Sequence, residues 1–377
     1  MKKIMSYLLS LSMAVSLSST ALAVSLESNH SENDDFGGKL YVSSYDCPAQ
    51  YALFAKEKIH LFLEASEFSE FSPCYLGAPF TFSNSNSDVY YFPVYYSGEI
   101  ICLLRVYSNE QGDIAGVLSK GFANELNAIS DFTSATNPLN IYFDGVNIVF
   151  KTASIERTVF SYPYTEQIET AIINNDDLAK TVVECSVESA SMVSLPQIDT
   201  RSSNSSHYLD IFDSDGYPAE TQGYGENWCA AYSAAAIMRY KGMSGLYAQD
   251  IMEYFYGSEL EESDMLSDSQ IYTYATVQGF YTSKTNSTLS FVRLCNEIDY
   301  DRPVYIVVRR EVGSEHGYHA IVLCGYNDTS GMVRIWNPWY DYYETIYSLS
   351  NYVPYEHQDR TYEYVRTIYN WSRGISK

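Results

Sequence analysis

The stretch TQGYGENWCAAYSAAAIMRYKG, Thr221 to Gly242, decides how the rest of the chain is read. A polar loop containing Gly223 and Gly225 leads to Cys229, and Ala230 to Tyr240 is an Ala-rich run with strong helix propensity. That order places Cys229 at or just inside a helix N-terminus. Free backbone N–H groups and the helix dipole there favour a thiolate over a thiol. Taken alone, a Cys before an Ala-rich helix is more often a core residue than a nucleophile, so the neighbouring blocks must decide.

Two downstream segments do so. GYHAIVLCGYN, Gly317 to Asn327, reads as a buried strand with His319 at its start. MVRIWNPW, Met332 to Trp339, reads as its hairpin partner, with Asn337 at its end. An imidazole at the start of one strand and an amide at the end of its antiparallel neighbour meet side by side. Cys229, His319 and Asn337 thus satisfy the nucleophile, base and orienter logic of covalent catalysis. His316 competes for the base role, but its neighbours Glu315 and Gly317 suggest a loop. His207 and His357 lie in polar stretches, while His30 and His60 have no Cys or carboxylate pattern around them. Cys295 and Cys324 sit in apolar surroundings that suit packed thiols.

With these blocks in hand, residues 207–377 resemble the papain-like cysteine peptidases, most closely the staphopain-type secreted bacterial enzymes. The resemblance rests on Gln222-Gly223, Trp228-Cys229-Ala230 with Tyr232, Tyr318-His319-Ala320, Trp336-Asn337-Pro338-Trp339 and Tyr369-Asn370-Trp371. It implies an α+β catalytic domain with an N-terminal helical part and an antiparallel, β-barrel-like sheet. Cys229 is then the nucleophile, a thiolate beside protonated His319, which later protonates the leaving amine. Asn337 orients the imidazole, Trp339 shields that bond from water, and Gln222 joins the Cys229 N–H in the oxyanion hole. Loss of one such donor typically lowers the rate about 100- to 1,000-fold. One departure stands out: Gln222 lies seven residues before Cys229, where the family usually has six. The Gly-containing loop has to absorb the extra residue, and Asn227 is the nearest alternative amide.

The remainder of the chain fits an exported precursor. Met1 to Ala23 has a basic start at Lys2 and Lys3, a short apolar stretch and small residues at Ala21 and Ala23, the pattern of a secretory signal peptide. Residues 46–65 have helical spacing. DVYYFPVYY, a Ser97-Gly98 turn and EIICLLRVY read as a hairpin. GVLSKGFANELNAIS reads as a short helix, and IYFDGVNIVFKT as a second hairpin turning at Asp144-Gly145. By the same resemblance, 24–205 is a β-rich α+β propeptide acting as an intramolecular inhibitor; the alternative reading makes 39–185 a permanent binding or wall-attachment domain. Residues 186–206 are Ser-rich and read as an exposed linker open to cleavage.

Composition narrows the partners. The net charge of −24 leaves nothing to neutralise phosphates or to favour anionic membranes. Seven cysteines permit disulfides but leave at least one thiol unpaired, and none has zinc spacing. The expectation is a monomeric, secreted cysteine endopeptidase acting on proteins or peptides, with no cofactor and no metal. The alternatives are a leader-peptide peptidase of the C39-like type, a cell-wall amidase on a related fold, and an exported non-catalytic binding protein.

Overall fold

The computed structural model describes residues 39–83, 89–108, 112–161, 180–187, 189–193, 206–212, 220–223, 225–312, 315–352 and 361–373, without the side chains of 311, 312, 315 and 316. The segment 1–23 read above as a signal peptide, His30, His357 and residues 194–205 of the expected linker lie outside the described residues. All the elements below belong to one contact unit, Phe36–Lys377.

The chain begins with β1 (Leu40–Ser44), α1 (Ala49–Glu64), β2 (Cys74–Leu76), β3 (Tyr90–Tyr96), β4 (Glu99–Ser108) and β5 (Ile114–Ser119). Next come α2 (Ala123–Ser130), β6 (Asn140–Phe143), β7 (Asn147–Lys151), β8 (Glu156–Ser161), β9 (Thr181–Cys185) and β10 (Ser191–Val193). The second part holds β11 (Ser206–Tyr208), α3 (Cys229–Tyr240), α4 (Ala248–Tyr256), α5 (Asp268–Val277), β12 (Phe280–Thr285) and α6 (Phe291–Asp299). It ends with β13 (Val304–Val312), β14 (Glu315–Asn327), β15 (Met332–Trp336), β16 (Tyr343–Ile346) and β17 (Glu363–Arg373). The fold is thus mixed α and β, with six α-helices among the described residues and antiparallel pairing between the named strands.

Local sequence explains the hairpins. Ser97 and Gly98 both adopt positive φ, 50° and 88°, which matches the right-handed twist of β3 and β4. Asp144 accepts from the N–H groups of Val146 and Asn147 and so closes the β6–β7 turn. GVLSKGFANELNAIS is helical only from Ala123; Gly116–Ser119 belongs to β5. There, Val117 and Leu118 are buried on opposite faces and pair with Arg105 and Leu104, so strand partners on both sides override helix propensity. The Ser-rich segment is likewise not all linker. Ser191–Val193 pairs with β2, burying Val193, and Ser206–Tyr208 pairs with β14.

One twelve-stranded sheet runs in the order β10-β2-β3-β4-β5-β16-β15-β14-β13-β17-β12, with β11 also paired to β14. Its two halves join at β5 and β16, where Ser119 faces Glu344, Leu118 faces Thr345 and Val117 faces Ile346. One face packs on α1 through Leu104, Val106, Leu118 and Phe62. The other carries Leu103, Tyr107, Val117 and Ile346 into the larger core that contains α3. The small side chains of Ala231, Ala234 and Ala235 are buried and let α3 lie close to β14.

Candidate active site

Helix α3 begins at Cys229 itself. The backbone N–H groups of Ala320, Ala230 and Cys229 lie where they favour the Cys229 thiolate. Two of these donors are unused amides of the helix N-terminus, and the third belongs to the residue after His319. The Ala-rich helix thus brings its first residue against the strand that carries the imidazole.

His319 lies on β14 opposite Val308 of β13 and is almost fully buried. Its Nε2 is 2.9 Å from Asn337 Oδ1, and the Trp339 indole stacks on the ring with centroids 4.2 Å apart. Pairing of Val322 with Trp336 sets this meeting, because it aligns the start of β14 with the residues just beyond β15. The backbone N–H of Trp339 also donates to Asn337 Oδ1, at 3.1 Å. A backbone amide can only donate, so the atom it meets must be the carboxamide oxygen. Nε2 facing the same oxygen must therefore carry a proton, which leaves Nδ1 as the basic nitrogen of a neutral ring. His316 is in the same strand rather than a loop, paired with Glu311.

Burial, however, opposes the ion pair expected from the sequence. It pushes His319 down to about 4, further lowered by the Arg310 charge, against the favourable Asn337 bond. The Cys229 thiol is raised, again by burial first, with Asp268 adding to the rise and the three backbone N–H groups opposing it. In the intact chain both shifts work against the thiolate–imidazolium form. Removing water penalises both charges of the ion pair.

The sign of the resulting pH effect follows directly. A His with a depressed folded value binds fewer protons than the unfolded chain between about pH 6.5 and 4, so its contribution to stability falls as pH falls through that window. At about 1.4 kcal/mol per unit, full protonation costs about 3 kcal/mol. Urea unfolding of wild type and His319→Asn at pH 7 and pH 4 is expected to show wild type losing about that much more than the variant. Equal losses in both would contradict it.

Gln222 sits against the same corner. Its N–H donates to the Pro338 carbonyl at 2.8 Å, which fixes it beside Asn337 and Trp339. Its side-chain amide, however, donates to the Glu226 carbonyl, and its Oε1 is buried without a hydrogen-bond partner. The extra loop residue is absorbed here. Glu226 folds back so that its carboxylate accepts from Gly223 N–H and from Tyr232 Oη, each at 2.7 Å. A Cβ at Gly223 would lie 3.0 Å from that carboxylate, so this turn favours glycine. Asn227 instead reaches the Ser263 carbonyl at 3.2 Å.

Two further groups extend the site. Asn337 Nδ2 donates to Tyr352 Oη, and Tyr352 Oη donates to Glu344 Oε2, each at 2.6 Å. Neither residue stands in a recognisable motif, so the sequence offered no signal for them. The first part of the chain also reaches the site. A cleft of about 270 Å³ lies between Phe122, Val159 and Phe160 on one side and Thr221, Trp339 and Tyr342 on the other. The Phe160 ring packs 5.5 Å from that of Tyr340. All seven cysteines are free thiols, and the described residues contain no group of His, Cys, Asp and Glu that could hold a metal ion.

Residues 214–365 match the sequence model of the Peptidase_C39 like family, a span that contains Cys229, His319 and Asn337. The match supports cysteine-peptidase chemistry in this part of the chain. No curated protein matches the chain.

Proposed function

We propose that the chain is a secreted cysteine endopeptidase of the staphopain type, made as a zymogen, with 24–205 as propeptide and 207–377 as the peptidase. The observation that carries this reading is the buried Nε2–Oδ1 bond of 2.9 Å between His319 and Asn337, on the strand whose next residue meets the Cys229 sulfur. Export rests on the signal-type N-terminus alone.

In the reaction, His319 Nδ1 takes the thiol proton as Cys229 Sγ attacks the scissile carbonyl. The tetrahedral oxyanion is held by the Cys229 N–H and by the Gln222 amide, once that amide leaves the Glu226 carbonyl. Collapse gives a thioester, and the imidazolium passes its proton to the departing amine. Water, deprotonated by His319, then hydrolyses the thioester and returns the thiol. Asn337 keeps Nε2 protonated throughout, and the Trp339 indole keeps water from that bond.

The family match favours a second reading, a leader-peptide peptidase of the C39-like type. Zymography on a mixed protein substrate, with wild type and Cys229→Ala, tests both. Clearing by processed wild type alone supports an endopeptidase. Cleavage confined to peptides carrying a double-glycine leader supports the alternative, and no cleavage by wild type in either assay refutes both.

A further inference from the structure

We propose that Tyr352 and Glu344 are positioning residues for His319, acting through Asn337, and that Arg105 of the first part of the chain supplies their counter-charge. The inference rests on the peptidase reading and deepens it, by extending the site through two residues that the Cys, His and Asn pattern does not include.

The protons of this chain are all determined. Trp339 N–H fixes the carboxamide oxygen of Asn337 towards His319, so Nδ2 must face Tyr352. Nδ2 can only donate, which makes Tyr352 Oη the acceptor and sends its single proton to Glu344. The sequence ends on a carboxylate that is 1% exposed, behind a tyrosine and an asparagine that are both 0% exposed. Buried hydrogen bonds in series polarise one another, so a negative charge at the far end strengthens each bond toward the ring. It favours a positive ring over a neutral one. Rotating the Asn337 amide would break the bonds at both ends at once, so the relay also locks its orientation.

The carboxylate needs a partner in such a place, and Arg105 provides it. Its guanidinium lies 3.7 Å from Glu344 Oε1, with both side chains at 3% exposure or less. Ladder register puts the two on one face of the sheet: Leu103, Ser119 and Glu344 face one another across β4, β5 and β16, and Arg105 is two residues along from Leu103. The guanidinium therefore reaches across β5. Tyr107, two residues further on, donates to the Asn351 carbonyl beside Tyr352. Strand β4 thus holds both ends of the Tyr352–Glu344 pair. Burial raises the Glu344 carboxyl, and Arg105 together with the Tyr352 bond pulls it back.

The test compares processed wild type, Tyr352→Phe and Glu344→Gln for kcat, KM and pH profile on a fluorogenic peptide that wild type cleaves. Among the described residues, the groups beside the His319 ring besides Asn337 are Arg310, Trp339 and Tyr362, together with the Cys229 thiol that the peptidase reading sets at Nδ1. All stay constant in these variants. Tyr352→Phe is expected to lower kcat at least tenfold with KM within twofold, and Glu344→Gln to act in the same direction. In both, the bell widens, its acid limb moving down by half a unit or more as the imidazolium loses support and the neutral base persists to lower pH. Where Glu344→Gln removes the carboxylate facing Arg105 and the precursor fails to fold, Arg105→Met/Glu344→Gln supplies a neutral pair, and its processed form carries the same altered site. Wild-type kcat and limbs in the variants would overturn the proposal. So would a loss of activity uniform across pH that tracks a lower melting temperature. Inactivity of wild type itself would instead overturn the peptidase reading on which the proposal rests.

Discussion

Cys229→Ala is expected to lower kcat/KM by about a million-fold, to a floor set by binding and the remaining oxyanion donors. No other thiol is placed to substitute. Cys324 is turned to the Arg334 carbonyl at 3.6 Å, and Cys185 to the Ala78 carbonyl at 3.5 Å. His319→Ala is expected to cost nearly as much, because Nδ1 is the acceptor for the thiol proton. The double variant should lose little more than either single one, since the two act as a unit. Progress curves with enough enzyme to detect the floor check this. A loss under tenfold for Cys229→Ala would remove the nucleophile from the reading.

A cut confined to 194–205 is expected to leave activity at least 100-fold below that of the peptidase freed of its first part. The linker is only a tether. Losing it removes an effective concentration in the millimolar range but none of the contacts that hold the parts together. Those contacts are extensive. Strand β5 pairs with β16, Arg105 meets Glu344, Glu67 lies 3.4 Å from Arg334, and Phe160 packs on Tyr340. Depriving a buried charge of its partner costs about 3–5 kcal/mol, and release of the first part would do that to Glu344 until water reaches it. The nicked chain should therefore elute as one species and gain activity only as the first part is digested. Full activity from nicked chains whose two pieces still co-elute would contradict this.

The second part was more legible than the first, for a physical reason. Its motifs are local in sequence. An Ala-rich run after a Gly-containing loop specifies a helix that starts at Cys229, and two apolar runs around Gly325-Tyr326-Asn327 specify β14 and β15. The hairpin then brings His319 and Asn337 together without further information. Hairpins in the first part were readable from Ser97-Gly98 and Asp144-Gly145. The β5 segment was not, because its conformation is set by β4 on one side and by β16, some 225 residues away, on the other. The charge state escaped for the same kind of reason: a helix N-terminus favours a thiolate, but burial at this position outweighs it. Tyr352 and Glu344 are unremarkable in sequence and acquire meaning only from what lies beside them.

The most direct measurement is site-resolved alkylation of the processed protein by iodoacetamide at pH 7, read by mass spectrometry at the three thiols of 207–377, Cys229, Cys295 and Cys324. Burial holds Cys324 up at about 12 and Cys295 at about 11, so these should stay unmodified while the fold is intact. Rapid modification of Cys229 alone, slowed at least 100-fold by His319→Ala, is the expected result. Labelling of Cys229 at the same rate with and without His319 would contradict a catalytic pair.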